Sequence, residues 1–212
     1  TNKTNCAALE RWLCMMNSTN DTNDTNASLE LQRVFEELKS MFVGCEVSQI
    51  EPTQFKLIVP SDKMLGMLTY LKSIGYSHLS IITCVDWIDE KKFELVYILF
   101  NWLNGVTFLV STFIDRDRPI FYTVKDMWPT AEYYERDVHE FFGVEFEGNE
   151  NCKKPLMLEL WDDLPPLRKD FDPLQYSKEH FPDRTYEKDP IHEARIIRGD
   201  IEGDIEGGEI DG

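Results

Sequence analysis

The sequence lacks the features that mark most cofactor-binding and membrane-spanning proteins. No apolar run approaches the ~20 residues that a helix needs to cross a bilayer. No Gly-rich phosphate loop of the G-x-G-x-x-G or G-K-[ST] kind occurs, which argues against the usual nucleotide pockets. The five cysteines are widely spaced, form no C-x-x-C pair and are accompanied by only four histidines. Zinc and iron–sulfur sites need clustered soft ligands, so we expect no metal and no other cofactor in this chain.

Basic residues are also few. The chain has 22 Lys and Arg against 39 Asp and Glu, which gives a net charge of −17. This sign argues against non-specific binding to nucleic acid or to an anionic membrane surface. The first residues lack the basic start and apolar core of a signal peptide, so we expect a reduced, intracellular setting.

The opening segment is rich in Asn, Asp and Thr, and it contains five N-x-[ST] matches. These could mark a glycosylated extracellular stalk, or they could be chance matches in a polar linker. Without a signal peptide we favour the linker. The asparagines concerned are Asn2, Asn17, Asn20, Asn23 and Asn26.

What the sequence does contain is enough apolar material for one domain with extensions, or at most for two small domains. Of the 212 residues, 42% are hydrophobic and 12% aromatic. Residues 1–27 are predicted to be an N-terminal extension and polar linker, and residues 28–148 the folded domain. Residues 149–198 are predicted to form an extended strap, because six of the ten prolines follow residue 150. Residues 199–212 form an acidic, Gly-rich tail.

Hydrophobic periodicity predicts the elements of the domain. Apolar residues at helical spacing indicate helices over 28–42 and from Ser61 to about Gly75, and β-rich runs indicate strands between and after them. The order α-β-β-α-β-β-β predicts a two-layer α+β domain, with helices on one face of a mainly antiparallel sheet. The predicted strands cover 46–50, 54–59, 78–88, 93–101 and 105–114.

A further helix precedes the strap. Pro129 suits a helix start, and Gly143 suits a left-handed stop. Apolar residues at 131, 134, 138, 141 and 142 share one face, so the charged residues are predicted to lie on a solvated face. Those charged residues are Glu132, Glu135, Arg136, Asp137 and Glu140.

The strap contains a compact charged cluster, Arg168-Lys169-Asp170, directly after Pro165-Pro166-Leu167. The prolines stiffen the backbone and fix the direction of the guanidinium. We therefore expect Arg168 to make a bidentate contact with a carboxylate across an interface. The sequence does not indicate which carboxylate.

Three arrangements could carry chemistry of their own. His139 with Glu135 and Glu140 could form a general acid–base pair of a stand-alone enzyme, although a solvated i,i+4 contact is the simpler interpretation. Asp86, Asp89 and Glu90 could bind a cation, but hairpin ends are often acidic. Cys84 lies in an apolar strand and is predicted to be a buried side chain. We predict no catalytic residue here.

Three ordered blocks of the sequence resemble the signature of the 30-kDa subunit family of respiratory complex I. They are Tyr134-Glu135-Arg136-Asp137, Phe142-Gly143-Val144-Glu145-Phe146-Glu147-Gly148 and Pro166-Leu167-Arg168-Lys169-Asp170-Phe171. Members of this family also occur in membrane-bound hydrogenases and F420H2-type dehydrogenases. The resemblance covers residues 28 to 173, and the α-β-β-α-β-β-β order of the family agrees with the order predicted above.

The resemblance implies a scaffold subunit on the cytoplasmic side of a membrane-bound, ion-translocating redox complex. It implies partners that resemble the large and the Fe–S small subunit of a hydrogenase, and contact with the membrane arm only through them. Fe–S clusters, and a nickel–iron centre in a hydrogenase, would lie in those partners. The signature residues are then docking and structural residues: Glu135, Arg136, Asp137, Gly143, Leu167, Arg168, Lys169 and Asp170.

The chain departs from the quinone-linked members of the family in two places. Residues 149–154 replace the usual His-Pro and arginine pair, and His139-Glu140-Phe141 replaces the usual Asp-Met/Leu before Phe-Gly. These differences favour the membrane-bound hydrogenase branch or a related ferredoxin-linked branch. The alternative is a subunit of an NADH– or F420H2–quinone/phenazine oxidoreductase.

Overall fold

A computed structural model of the chain describes residues 33–182. They belong to two compact units that divide after Phe171. The N-terminal extension with its N-x-[ST] sites, the predicted start of the first helix and the acidic tail lie outside the described residues. Within residues 33–182, no helix is long and apolar enough to cross a membrane.

The first unit follows the predicted α+β class. A helix (α1) covers residues 33–41 of the described chain and is followed by two strands, a helix and three longer strands. Short 3-10 turns at Ser61–Lys63 and Ile88–Glu90 precede α2 and β4. The bounds are β1 Glu46–Glu51, β2 Gln54–Ile58, α2 Met64–Ser73, β3 His78–Trp87, β4 Lys92–Phe100 and β5 Thr107–Asp115.

The five strands form one sheet in the order β1-β2-β5-β4-β3. The two predicted hairpins, β3–β4 and β4–β5, are confirmed as antiparallel pairs. β2 and β5 pair in parallel. The chain between them passes through α2, β3 and β4. The sheet is therefore mixed.

One face of this sheet, called the closed face, carries the hydrophobic core. Phe35 of α1 packs against Phe55 with ring centroids 4.9 Å apart, and Phe93 of β4 packs against Phe142 at 6.1 Å. Alternation along each strand sends every second side chain to this face. Its fully buried members include Phe55, Leu57, Ile82, Phe93, Leu95, Tyr97, Leu99, Phe108 and Val110.

The other face, called the open face, is apolar as well. The register aligns Val85, Glu94 and Phe113 in one row across β3, β4 and β5. The next two rows hold five aliphatic side chains together with Thr83, Ser111 and Lys56. The apolar members of the open face are Ile58, Ile81, Val85, Trp87, Val96, Ile98, Phe100, Leu109 and Phe113.

Three elements follow the large sheet in the first unit. They are β6 Ile120–Tyr122, α3 Ala131–Phe142 and β7 Glu145–Glu147. β6 and β7 pair in parallel as a second, two-stranded sheet, which the sequence analysis did not predict. Strands of three residues are too short to show a period-2 pattern. The pairing holds the segment after β6 beside α3.

The second unit begins with a helix, α4, at Pro173–His180. This segment was expected to be extended, as part of the strap. The side chain of Asp172 accepts hydrogen bonds from the backbone N–H groups of Leu174 and Gln175, and Pro173 occupies the first helical turn. Asp followed by Pro is a helix-start signal, and the high proline content of the region concealed it.

Candidate functional site

The strap segment 165–171 folds back onto its own domain at the end of α3. The backbone N–H of Leu167 donates to the carbonyl of Phe141 at 3.1 Å. Gly143 ends α3 with φ +81°, as its predicted role requires. A Cβ at this position would lie 3.3 Å from Pro165 Cγ and 3.7 Å from Arg168 Nη1. The contact therefore needs glycine for its backbone angle and for the close approach of the strap.

A buried ion-pair cluster joins the strap to the large sheet. Arg116, just after β5, donates from Nε to Asp86 Oδ1 at 2.8 Å and from Nη2 to Asp86 Oδ2 at 3.0 Å. The same Nη2 donates to Asp170 Oδ1 of the strap at 2.8 Å. The backbone N–H of Lys169 donates to Asp86 Oδ2 at 2.9 Å. Asp86 and Arg116 are only 3% and 8% exposed, so this is the geometry of a satisfied buried pair.

The charges of this cluster shift the pKa values of its carboxyl groups. Burial alone would raise the pKa of Asp86, but the hydrogen bonds from Arg116 and Lys169 outweigh it and leave this pKa below its usual range. The hydrogen bond from Arg116 also lowers the pKa of Asp170. Both carboxyl groups are therefore ionised when they hold the strap.

Arg168 makes several contacts within its own chain. Its guanidinium lies 5.3 Å from the centroid of the Phe93 ring, and that of Arg116 lies 5.6 Å from the same ring. Arg168 Nη2 donates to the carbonyl of Arg116 at 3.4 Å, and its Nε lies 3.7 Å from Asp170 Oδ1. Within the chain, the bidentate carboxylate contact is made by Arg116, and the contact of Arg168 across an interface stays a prediction. The signal that could have found it is Asp86, an acid in an otherwise apolar strand.

Glu135 corrects the prediction of a uniformly solvated charged face on α3. Its side chain is fully buried and accepts hydrogen bonds from Thr123 Oγ1 at 2.6 Å, the backbone N–H of Val124 at 2.8 Å and Asn149 Nδ2 at 2.9 Å. The segments after β6 and β7 supply these donors and cover the helix. Burial raises the pKa of Glu135, and its three hydrogen bonds only partly offset this.

Other charged residues of α3 hold the first part of the strap. Arg136 donates from Nε to the carbonyl of Lys154 at 3.2 Å and from Nη2 to that of Pro155 at 2.8 Å. Glu140 accepts hydrogen bonds from the backbone N–H groups of three consecutive strap residues, 156–158. Asp137 is half-buried, and burial with the nearby charge of Glu140 raises its pKa.

His139 does not form the acid–base arrangement considered above. Its Nδ1 lies 2.8 Å from the carbonyl of Val144 and donates to it. Glu135 is buried on other donors, and Glu140 is bound to the strap backbone. A groove of about 320 Å³ beside His139 is lined by residues that include Lys153, Lys154, Leu158 and Trp161.

The possible cation site is not assembled either. Asp86 is bound to Arg116, whereas Asp89 and Glu90 lie exposed in the turn after β3. Within the described part of the chain, no group of three or more His, Cys, Asp or Glu side chains is placed to hold a metal ion. Cys84 is buried, as predicted, and burial raises the pKa of its thiol.

Comparison with known proteins finds a family that matches this chain. The family described as "Respiratory-chain NADH dehydrogenase, 30 Kd subunit" matches residues 57–177. This range includes β3 to β5, α3 and every residue of the ion-pair cluster.

Individual relatives extend the comparison. A subunit of the NADH-quinone oxidoreductase of Moorella thermoacetica is 33% identical over 67% of this chain and 90% of its own length. A subunit of the F(420)H(2) dehydrogenase of Methanosarcina mazei is 29% identical over 74% of this chain and 97% of its own. A chain in the structure of the membrane-bound sulfane sulfur reductase, an archaeal respiratory membrane complex, is 37% identical with a TM-score of 0.67. That match covers 76% of this chain and 97% of the other.

Proposed function

Because this chain belongs to the 30 Kd subunit family of the respiratory-chain NADH dehydrogenase, we propose that it is a non-catalytic scaffold subunit. It would sit in the peripheral arm of a membrane-bound, ion-translocating redox complex, on the cytoplasmic side. Its partners would be a hydrogenase-like large subunit and an Fe–S small subunit, which would carry the cofactors. Electron transfer falls steeply with distance, so a subunit that fixes the positions of cluster-bearing neighbours affects the rate without holding a cluster.

One observation carries the proposal: the signature residues lock the strap in place while its apolar side chains point outward. Arg116, Asp170 and Arg136 are satisfied within the chain. Leu160 is 97% exposed and has φ +61°, an unfavourable backbone angle for leucine. Exposed apolar residues on a rigid strap fit docking to another protein. They are Leu156, Met157, Leu160, Leu164 and Leu167.

We infer the membrane-bound hydrogenase branch or a related ferredoxin-linked branch from the sequence departures at 139–141 and 149–154 and from one structural similarity. The block 149–154, which departs from the quinone-linked pattern, contributes to the fold, since Asn149 and Asn151 bind Glu135 and Glu132. The chain also shares 37% identity with its counterpart in the archaeal membrane complex. The alternative branch is an NADH- or F420H2-dependent oxidoreductase.

The experiment is purification of the tagged native chain from membranes in mild detergent, with partners identified by mass spectrometry and metals by elemental analysis. We expect large and small redox subunits, membrane-arm subunits and iron to co-purify with the tagged chain. Nickel in the same sample would select the hydrogenase branch. A lone chain free of partners would contradict the scaffold function.

A second measurement addresses a stand-alone enzyme. The isolated chain should show no turnover with the electron donors and acceptors of the purified complex. His139→Ala should leave the specific activity of the assembled complex unchanged, since Nδ1 of His139 serves the Val144 carbonyl. Turnover by the isolated chain that His139→Ala abolishes would establish the enzyme instead.

A further inference from the structure

The open face of the large sheet carries exposed apolar side chains along its β3 edge. The aromatic contacts of α1 and α3 with the sheet are made on the closed face. On the open face, Ile81, Val85 and Trp87 of the edge strand β3 are 40%, 39% and 41% exposed. On β4 and β5, Ile98 and Phe113 are half-buried, and Glu94, Val96 and Ser111 are buried. A contiguous apolar patch of this kind is a mark of an interaction site.

The size of the open face suits a protein partner. Strands spaced about 4.8 Å apart and up to ten residues long, at about 3.4 Å per residue, span on the order of 600 Å². A standard protein interface buries roughly 800 Å² per partner. A helix is about 10 Å wide and rises about 1.5 Å per residue, so one short helix would cover less than half of the face. A folded surface fits the area better than a short segment of this chain.

The charge pattern of the open face also suits an interface. Among the described residues, its interior holds one ion pair, Lys56 Nζ to Glu94 Oε1 at 2.7 Å, in a chain where 29% of residues are charged. Trp87 Nε1 donates to Glu94 Oε2 at 3.0 Å, which fixes the indole ring before any partner arrives. Interface cores are depleted of charge and enriched in aromatic residues. Because the pair neutralises itself, a partner needs no countercharge at the centre.

One rim of the open face is cationic and continuous with the strap. Lys169 Nζ lies 6.0 Å from the centroid of the Trp87 ring, and Lys92 Nζ lies 5.7 Å from that of Phe113. Lys92 has only a loose contact with Glu90, at 3.6 Å. Asp115, opposite Lys92 in the sheet, directs its carboxylate to backbone N–H groups of the next turn. The strap signature thus reaches the edge of the face.

We propose that the open face is a second docking surface for a partner subunit, distinct from the outward strap residues. The surface of that partner is apolar at its centre and bears carboxylates where it meets Lys92 and Lys169. The proposal rests on the proposed function, since it requires a complex. This proposal goes beyond the proposed function because it names the surface of this chain that a partner subunit covers.

The test is co-purification with Val85→Glu, which puts a charge on the face without removing a buried group. The matched control is Ile120→Glu, at a 47% exposed position of β6 away from the face. Both tagged chains are expressed in the native host, and the amount of each partner is measured against wild type. We expect at least a tenfold loss of partners with Val85→Glu and none with the control. Val85 lies opposite Glu94, so Val85→Glu also brings two carboxylates together and should lower thermal stability. Ile81→Glu, at a 40% exposed position opposite Ile98 on the same face, should lose partners equally. Ile81→Glu and the control should both unfold thermally like wild type.

Wild-type recovery of partners with Val85→Glu would overturn this inference while leaving the scaffold function intact. Failure of the wild-type chain itself to recover partners would instead remove the proposed function. A charge reversal, Lys92→Glu, tests the rim. It should weaken partner retention about fivefold, and the loss should diminish as salt is raised. If Lys92→Glu retains partners as well as wild type at low salt, the partner does not bear carboxylates at this rim.

Two other occupants of the face give different results. If a second copy covers it, the isolated chain will have twice the monomer mass in solution, and Val85→Glu will halve that mass. If residues 1–32 cover it, deleting them will increase the hydrogen exchange of β3 edge amides in the isolated chain. Either result would overturn the proposal. A monomer with unchanged exchange is expected.

Discussion

Two buried carboxylates, Asp86 and Glu135, hold the parts of this domain together in opposite ways. Asp86 on the sheet is met by the guanidinium of Arg116, and its pKa is lowered. Glu135 on α3 is met only by neutral donors, a hydroxyl, a backbone N–H and an amide, and its pKa is raised. Burial acts on both carboxyl groups in the same direction. The charge of the donors decides whether the pKa of each carboxyl group is lowered or raised.

The difference indicates how each site tolerates change. The cluster around Asp86 depends on a charge balance, so removal of one member leaves an uncompensated buried charge. The site around Glu135 depends on hydrogen-bond geometry, so a neutral acceptor of the same shape can replace part of it. The first site anchors the end of the strap, and the second anchors the segments around α3.

The largest effect is expected when the charge balance is broken. Arg116→Met should lower the free energy of unfolding by about 3–5 kcal/mol, because Asp86 is left buried without its cation. Urea unfolding of the full chain near neutral pH measures this. Lys153→Met is the control, since its pair with Glu145 is exposed and should contribute little to stability. If Arg116→Met and Lys153→Met lower the free energy of unfolding equally, the cluster around Asp86 does not depend on its charge balance.

At Glu135, loss of the acceptor should matter more than loss of the charge. Glu135→Ala leaves three donors without a partner and should cost about 2–4 kcal/mol. Glu135→Gln keeps one acceptor oxygen and should cost about half as much. Both are compared by urea unfolding. If the glutamine variant is as unstable as the alanine variant, the charge of Glu135 matters and the contrast with Asp86 fails.

One contact between the strap and Asp86 depends on the strap backbone and not on a side chain. The N–H of Lys169, not its ammonium, binds Asp86. Lys169→Pro removes this donor and should cost about 1–3 kcal/mol. Lys169→Ala keeps it and should change stability by less than about 0.5 kcal/mol. A large loss with alanine would show that the side chain carries the contact.

The smallest effect is a difference in pH dependence. The lowered pKa of Asp86 means that its contribution is present above the unfolded pKa, about 3.9, and is lost as pH falls through the folded pKa. The raised pKa of Glu135 means that its contribution is full below the unfolded pKa, about 4.3, and is lost as pH rises through the folded pKa.

The destabilisation by Asp86→Asn should therefore shrink as pH falls below about 3.9, whereas that by Glu135→Gln should grow as pH falls from about 6 toward about 4.3. Urea unfolding across this range measures both curves. Wild type is the reference at each pH. Parallel curves for the two variants would contradict the opposite pKa shifts.

Much of the fold could be predicted from the sequence, because its signals are local. The hairpins from β3 to β5 follow from β-rich runs separated by short polar gaps, and Gly143 follows from its place after an amphipathic helix. The orientation of Glu135 could not be predicted. A glutamate at that position of a helix is usually solvated, and the donors that bury it come from elements flanking α3.

The amino-acid sequence by itself determined the elements, the α+β class and the family signature, all of which depend on neighbouring residues. Only the tertiary structure decided what the signature contacts. Arg116 and Asp86 lie 30 residues apart, Arg116 and Asp170 lie 54 apart, and Lys169 and Asp86 lie 83 apart. No residue spacing encodes such contacts, because they form only when the sheet, α3 and the strap pack together. The same packing brings α1 and α3 onto the closed face of the sheet.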